Sequence, residues 1–184
     1  IIMQLYSDHY KEMLKELHAR QDRPRGFGGK IKPLGLFDTF MNKWRPKTAL
    51  DYGCGKGVIL LDNQTTYPDT TWYGYDPAVP QFEKIRIDKC DLVFCNDVLE
   101  HIEPDYITNV LQHINKLSTK YIWLRIDTKP ARKIMKDGRN AHLIQQDEDW
   151  WSEMLQHNVD GFIKYVALHK KAKLNGKLDI AIEK

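Results

Sequence analysis

A chain of 184 residues with 42% hydrophobic and 29% charged side chains has the length of one domain with a single core, and its balance excludes disordered and membrane-embedded classes. Its formal charge of +3 is mild, well short of the concentrated basic face of a dedicated nucleic-acid binder, so charge alone names no partner. The apolar runs are only strand-length, the N-terminus lacks the basic, apolar and small-residue order of a secretory leader, and Cys54, Cys90 and Cys95 show no Cys-x-x-Cys spacing. These features predict a cytoplasmic chain with no membrane span and with reduced, buried cysteines, and they argue against a disulfide framework or a structural zinc site.

In chain order, Tyr10, Met13, Leu14 and Leu17 recur at helical spacing and predict a helix from Ser7 to Gln21, capped by Ser7 or Asp8. A glycine-rich loop follows (Pro24 to Gly29, with Phe27 at its centre), then a helix from Leu34 to Trp44 that Pro46 ends. Thr48–Tyr52 reads as a buried strand, Gly57–Asn63 as a helix, and Thr71–Tyr75 as a second strand closed by Asp76-Pro77. Asp91–Asn96 is the clearest buried strand and Tyr106–Leu117 the clearest amphipathic helix. A strand at Tyr121–Ile126 and a helix near Asp147–His157 come next. Strands at Gly161–His169 and Lys177–Glu183, joined through Asn175-Gly176, form a terminal hairpin. Strand and helix in alternation predict an α/β fold: a mostly parallel sheet with helices on both faces and one antiparallel strand from the hairpin. No repeat or linker divides the chain, so one domain is expected over 1–184, with helices and a glycine-rich lid in 1–46 and a cofactor-binding core in 47–184.

The chemistry concentrates in Asp51-Tyr52-Gly53-Cys54-Gly55-Lys56-Gly57. A strand that runs into Gly-x-Gly-x-Gly and then a helix puts backbone N–H groups and a helix N-terminus beside a nucleotide-like ligand. The dinucleotide fingerprint requires a sixth-position glycine where this chain has Val58, and the ATP loop's Gly-Lys-Ser/Thr ending is absent. Asp51, two residues before the first glycine, repels a pyrophosphate but suits a ligand with an ammonium and a sulfonium, as in S-adenosylmethionine (SAM). Asp76, at the end of the next strand, can accept hydrogen bonds from both ribose hydroxyls. Asn96-Asp97-Val98-Leu99-Glu100-His101-Ile102 leaves the third strand on the same edge of the sheet.

These three segments resemble the successive SAM motifs of class I, Rossmann-like SAM-dependent methyltransferases. Pro130 to Lys133, Asp137 to His142 and Trp150-Trp151 are similar to a small branch of that class common in tailed phages and bacteria. The resemblance implies that Asp51, Gly53, Cys54 and Gly55 hold the methionine part of SAM and that Asp76 and Pro77 hold the ribose. It places Asn96, Asp97 and Val98 on the adenine side or the methionine, and makes S-adenosylhomocysteine (SAH) the product. Only fourteen residues separate Asp76 from Asp91, too few for the helix and strand that such enzymes place there, so a third strand is expected to be short or missing.

His101 and His142 are the candidate catalytic residues, His142 slightly ahead because it follows the strand after which such enzymes build their substrate wall. The plainer alternatives are that His101 caps a helix or orients Glu100 and that His142 lies on a surface loop. At least one of Trp150 and Trp151 is expected to pack on the sheet, and Lys170, Lys171 and Lys173 read as a solvated loop. Methyl transfer needs alignment and, for hydroxyl acceptors, proton removal, so no metal ligand set is expected. The motifs of DNA amine and cytosine carbon-5 methylation are missing, which leaves a small-molecule or sugar-like acceptor, methylated at oxygen or nitrogen, as the first expectation. A nucleic-acid or protein acceptor, or SAM binding without catalysis, are the alternatives.

Overall fold

The computed structural model describes residues 3–19, 35–170 and 175–184. The glycine-rich loop around Phe27, the expected helix ends at Arg20-Gln21 and Leu34, and the lysines Lys171 and Lys173 lie outside the described residues. The described elements are α1 (Asp8–Ala19), α2 (Leu36–Trp44), β1 (Thr48–Tyr52), α3 (Val58–Thr66), β2 (Thr71–Tyr75), β3 (Cys90–Asn96), α4 (Ile107–Leu117), β4 (Ser118–Asp127), α5 (Glu148–Asn158), β5 (Phe162–Leu168) and β6 (Lys177–Glu183).

The strands form one sheet in the order β2-β1-β3-β4-β6-β5. The first four pair in parallel, and β6 inserts antiparallel between β4 and β5. The period-two alternation of each strand decides which layer its side chains join. Leu50, Tyr52, Val93, Cys95, Ile122 and Leu124 face α4 and α5, where Ile107, Leu111, Ile114 and Trp151 complete one core. Their neighbours Ala49, Leu92, Phe94 and Trp123 face α2 and α3 and pack on Phe37, Phe40, Met41 and Leu60. Trp151 is fully buried, with Trp150 edge-on to it at 5.0 Å. Cys90 and Cys95 are free and buried, whereas Cys54, in the glycine turn, is only half-buried.

Differences from the expected elements have local causes. β4 begins three residues early because Ser118 pairs with Cys90 across an irregularity in β3, and the polar Ser118-Thr119-Lys120 carry no apolar signal. The segment 77–89 contains no strand, as the short spacing between Asp76 and Asp91 implied. Phe82 instead folds it back on the sheet: its carbonyl accepts from the Asp76 amide at 3.0 Å, and its ring fills the space beside Gly57 and Gly74.

Two opposite charges pair with each other wholly inside this fold. Arg125 on β4 faces Asp179 on β6, and Nε and Nη2 donate to the two carboxylate oxygens at 2.6 Å each, with neither side chain exposed. His169 Nε2 lies 2.9 Å from the same carboxylate. Removing one member of such a pair strands the other in a low dielectric. Asp179→Asn is therefore expected to cost about 3 kcal/mol or more in urea denaturation; a loss under about 1 kcal/mol would show that the pair does not hold the β4–β6 seam.

Candidate active site

The order of the sheet reverses at β1, whose chain goes out to β2 on one side while β3 lies on the other, and a crevice opens at the carboxyl ends of the strands at such a point. The three segments singled out above meet there. Gly53 takes φ 80°, and a Cβ on it would stand 2.4 Å from Val98 Cγ2. Only glycine lets the turn after β1 lie against the turn after β3.

The amides of this turn face inward, contrary to the expectation that they point at a ligand. Gly53 N and Cys54 N both donate to the Tyr75 carbonyl, at 2.7 and 3.1 Å, Gly57 N to the Cys54 carbonyl at 2.9 Å, and Gly55 N to Asp76 Oδ2 at 2.9 Å. The turn is thus tied to the end of β2 and presents no nest of donors for a phosphate. Asp76 also accepts from Ala78 N through Oδ1 at 2.9 Å, so each oxygen retains a lone pair for a hydroxyl donor.

Asp51 differs from Asp76 in having no such support. It is buried, and Oδ2 has no partner among the described residues. Burial, reinforced by the Asp76 charge, pushes its carboxyl up to about 8. On β3, Asn96 Oδ1 is likewise buried and without a partner among the described residues. Two acceptor oxygens short of donors, on neighbouring strands beside a second carboxylate, fit a ligand that brings N–H donors and positive charge. That is the chemistry of the methionine end of SAM, and the residues present fit it.

α1 crosses this edge of the sheet. Its Ser7 cap accepts from Tyr10 N at 3.1 Å, and Ser7 N and Oγ both donate to Glu103 at 2.8 Å. Tyr10 Oη donates to the His101 carbonyl at 2.6 Å. These bonds fix the helix so that Tyr10, Leu14 and His18, at four-residue spacing, share a cleft with Gly53, Asp76 and Val98. Met13 and Leu17 pack instead on Met135 and Ala141 in the segment after β4. Sequence reading assigned α1 no site role; the four-residue spacing of Tyr10, Leu14 and His18 was the available signal.

His101 lines the same cleft. Its Nδ1 donates to the Ala141 carbonyl at 2.6 Å, which places the ring's lone pair on Nε2. Burial, with His142 and Lys177 nearby, lowers its pKa to about 4, so the ring is neutral. His142 is buried rather than exposed on a loop, and it stands edge-on to His101 with ring centroids 4.8 Å apart. Its Nδ1 donates to the Lys129 carbonyl. Asp97 has φ 55°, lines the cleft and is ion-paired with Lys177 at 2.8 Å, a lysine that sequence reading did not flag. Pro77 completes the β2 side of the cleft, and Cys54 Sγ points back toward the Gly55 carbonyl at 3.7 Å.

Fold and site together define a class I, Rossmann-like methyltransferase. The Methyltransferase domain family matches residues 9–176, and the chain belongs to it. No curated protein matches the chain. Among solved structures it is similar to magnesium protoporphyrin IX methyltransferase from Synechocystis PCC 6803 with bound SAH, at 14% identity and TM-score 0.65 over 95% of this chain and 99% of that one. It is also similar to 1,6-didemethyltoxoflavin-N1-methyltransferase from Burkholderia thailandensis, at 16% identity and TM-score 0.65 over 100% and 93%. An O-methyltransferase family protein from Burkholderia thailandensis matches at 15% identity and TM-score 0.53 over 82% of this chain, which spans about half of that protein's length, 53%. At these identities the likeness is one of fold.

The raised Asp51 carboxyl has a measurable consequence. The unfolded chain ionises that group near 3.9, so above that pH the native state holds a proton that unfolding releases. Stability of the cofactor-free protein therefore declines from about pH 4 to about pH 8 and levels off beyond. Asp51→Asn removes this decline and is expected to be the more stable protein at pH 8, by on the order of 1 kcal/mol or more, while losing SAM affinity. Parallel denaturation curves at pH 5 and pH 8 check it, and identical pH profiles for the two proteins would refute it. Gly53→Ala is expected to weaken SAM binding at least about ten-fold by calorimetry, because the turn after β3 must shift away.

Proposed function

We propose that the protein transfers the methyl group of SAM to an oxygen or nitrogen of a small organic acceptor that enters beside α1. The observation that carries this reading is that one cleft is lined both by the motif residues (Gly53, Asp76, Pro77, Val98) and by side chains with no cofactor role (Tyr6, Tyr10, Ile102). Donor and acceptor can therefore meet within it.

The residues divide the work. Asp51 and Asn96 would take the ammonium and orient the methionine end, and Asp76, with Pro77 beneath it, would hold the ribose. Val98, wedged on Gly53, and Asp97, steadied by Lys177, would fix the remaining wall. When bound, SAM supplies an electrophilic methyl group whose transfer cancels the sulfonium charge. An acceptor hydroxyl, or an amine in its neutral form, would attack through a lone pair and release its proton to water. His101 touches the cleft and is the candidate catalytic group: its Nε2 can accept a hydrogen bond from the acceptor and aim the attacking atom. His142 stands behind it and positions the ring. The Tyr10, Tyr52 and Tyr75 rings give the cleft an aromatic wall that favours a flat or apolar acceptor over a heavily hydroxylated one. The Burkholderia neighbour that binds 1,6-didemethyltoxoflavin, a small molecule, is in keeping with this. Among the described residues, no helix is long and apolar enough to cross a membrane.

Incubation with methyl-labelled SAM and fractionated metabolite extracts tests the reading: label is expected in a low-molecular-mass product. His101→Ala should lower turnover at least about ten-fold with SAM affinity kept within about two-fold. Label in RNA, DNA or protein alone would replace this acceptor class with a polymer.

A further inference from the structure

We propose that Glu100, His101 and His142 form a binding site for a divalent transition-metal ion on the acceptor side of the cleft. Glu100 and His101 lie in the turn after β3 and His142 in the segment after β4, yet one ligand-capable atom of each lies within 4.8 Å of the others. Donors about 2.0–2.2 Å from an ion stand roughly 3–3.5 Å apart, so binding draws the set inward by about 1 Å, a movement that side-chain rotation supplies.

Glu100 gives an independent indication. It is fully buried; Oε1 accepts from Asp127 N at 3.0 Å, and Oε2 has no partner among the described residues. A carboxylate oxygen left so in a closed interior calls for a cation or a proton. The histidines give another. Each donates its Nδ1 proton to a backbone carbonyl, Ala141 for His101 and Lys129 for His142, the outer-shell bond that fixes a metal-binding imidazole with Nε2 as the ligand atom.

Charge points the same way. Lys177 bonds both Asp97 at 2.8 Å and Asp127 at 2.9 Å, and Glu100 is the third carboxylate of the group. Arg125, the other nearby cation, is committed to Asp179. Three acids beside one lysine leave a carboxyl group that holds a proton in the metal-free protein, and a divalent ion would take that proton's place. Two imidazoles and one carboxylate suit manganese, iron, cobalt, nickel or zinc rather than calcium or magnesium. Three protein ligands leave coordination positions unfilled, and His101 faces the cleft, so an acceptor oxygen can approach the ion; with the ion bound, the His101 Nε2 lone pair is taken up by it, and the ion replaces that nitrogen in aiming the acceptor. That last consequence, which selects oxygen over nitrogen acceptors, rests on the methyl-transfer reading; the metal site itself does not.

The test is titration of the full chain with Co2+, followed by d–d absorption, with SAH calorimetry on the same samples. One ion per chain is expected, bound at least about ten-fold more weakly by Glu100→Gln and by His142→Ala, with SAH binding retained in both. His157→Ala, on the exposed end of α5, should match the parent. Should either site variant fail to unfold cooperatively, the unaltered protein decides: Mn2+ must broaden the imidazole resonances of His101 and His142 and spare that of His157. Equal Co2+ affinity in all variants, or imidazole resonances untouched by Mn2+, overturns the proposal. Loss of SAH binding in the unaltered protein would instead indict the cofactor reading.

Discussion

Two carboxylates stand together at the ends of β1 and β2, and only one of them is satisfied by the protein. Asp76 is held by the Gly55 and Ala78 amides, whereas Asp51 is buried beside it with an oxygen that no described group reaches. The surrounding architecture serves that arrangement. Gly53 permits the turn after β1 to lie on Val98, the turn's amides are drawn away toward Tyr75 and Asp76, and α1 closes the recess from above. A recess built this way disfavours phosphate and favours a cation that carries N–H donors. The selection among nucleotide-like cofactors is therefore electrostatic before it is steric.

The same logic extends to the acceptor side with a different outcome. There, Lys177 already neutralises Asp97 in part, and the oxygen left without a partner among the described residues is Glu100 Oε2, close to His101 and His142. One edge of the sheet thus holds two buried carboxyl groups, each with an oxygen that no described group reaches. The first is met by the methyl donor and the second, on the account given above, by a metal ion. α1 contacts both regions: Tyr10 bonds the His101 carbonyl, while Met13 and Leu17 pack on the segment that carries His142. Movement of this helix would open both sides of the cleft together.

Much of the fold was legible because its signals are local. β1, β2 and β6 have the bounds that their apolar runs predict, and the absent strand between Asp76 and Asp91 followed from counting residues. The cofactor motifs were legible for the same reason, since Gly53, Asp76 and Val98 each lie within a few residues of a strand end. What stayed hidden depends on partners distant in the chain. The turn amides were expected to face a ligand, but their direction is set by the Tyr75 carbonyl across the β1–β2 pair. His142 read as well as a surface histidine as a site residue, because its burial depends on α1 and the segment after β4 closing over it. Lys177 gave no signal in its own hairpin; it matters only because β6 inserts beside β4 and brings it to Asp97.

The central claim is that Asp51 and Asp76 create a recess for a cation-bearing nucleoside, and calorimetry of SAM binding across pH examines it most directly. Affinity is expected to rise from pH 6 toward pH 8 as binding helps Asp51 ionise, with proton release on binding at the lower pH. Asp76→Ala should cost at least about ten-fold in affinity through the lost ribose contact. No SAM binding at any pH, or binding that is indifferent both to pH and to the loss of Asp76, would contradict it.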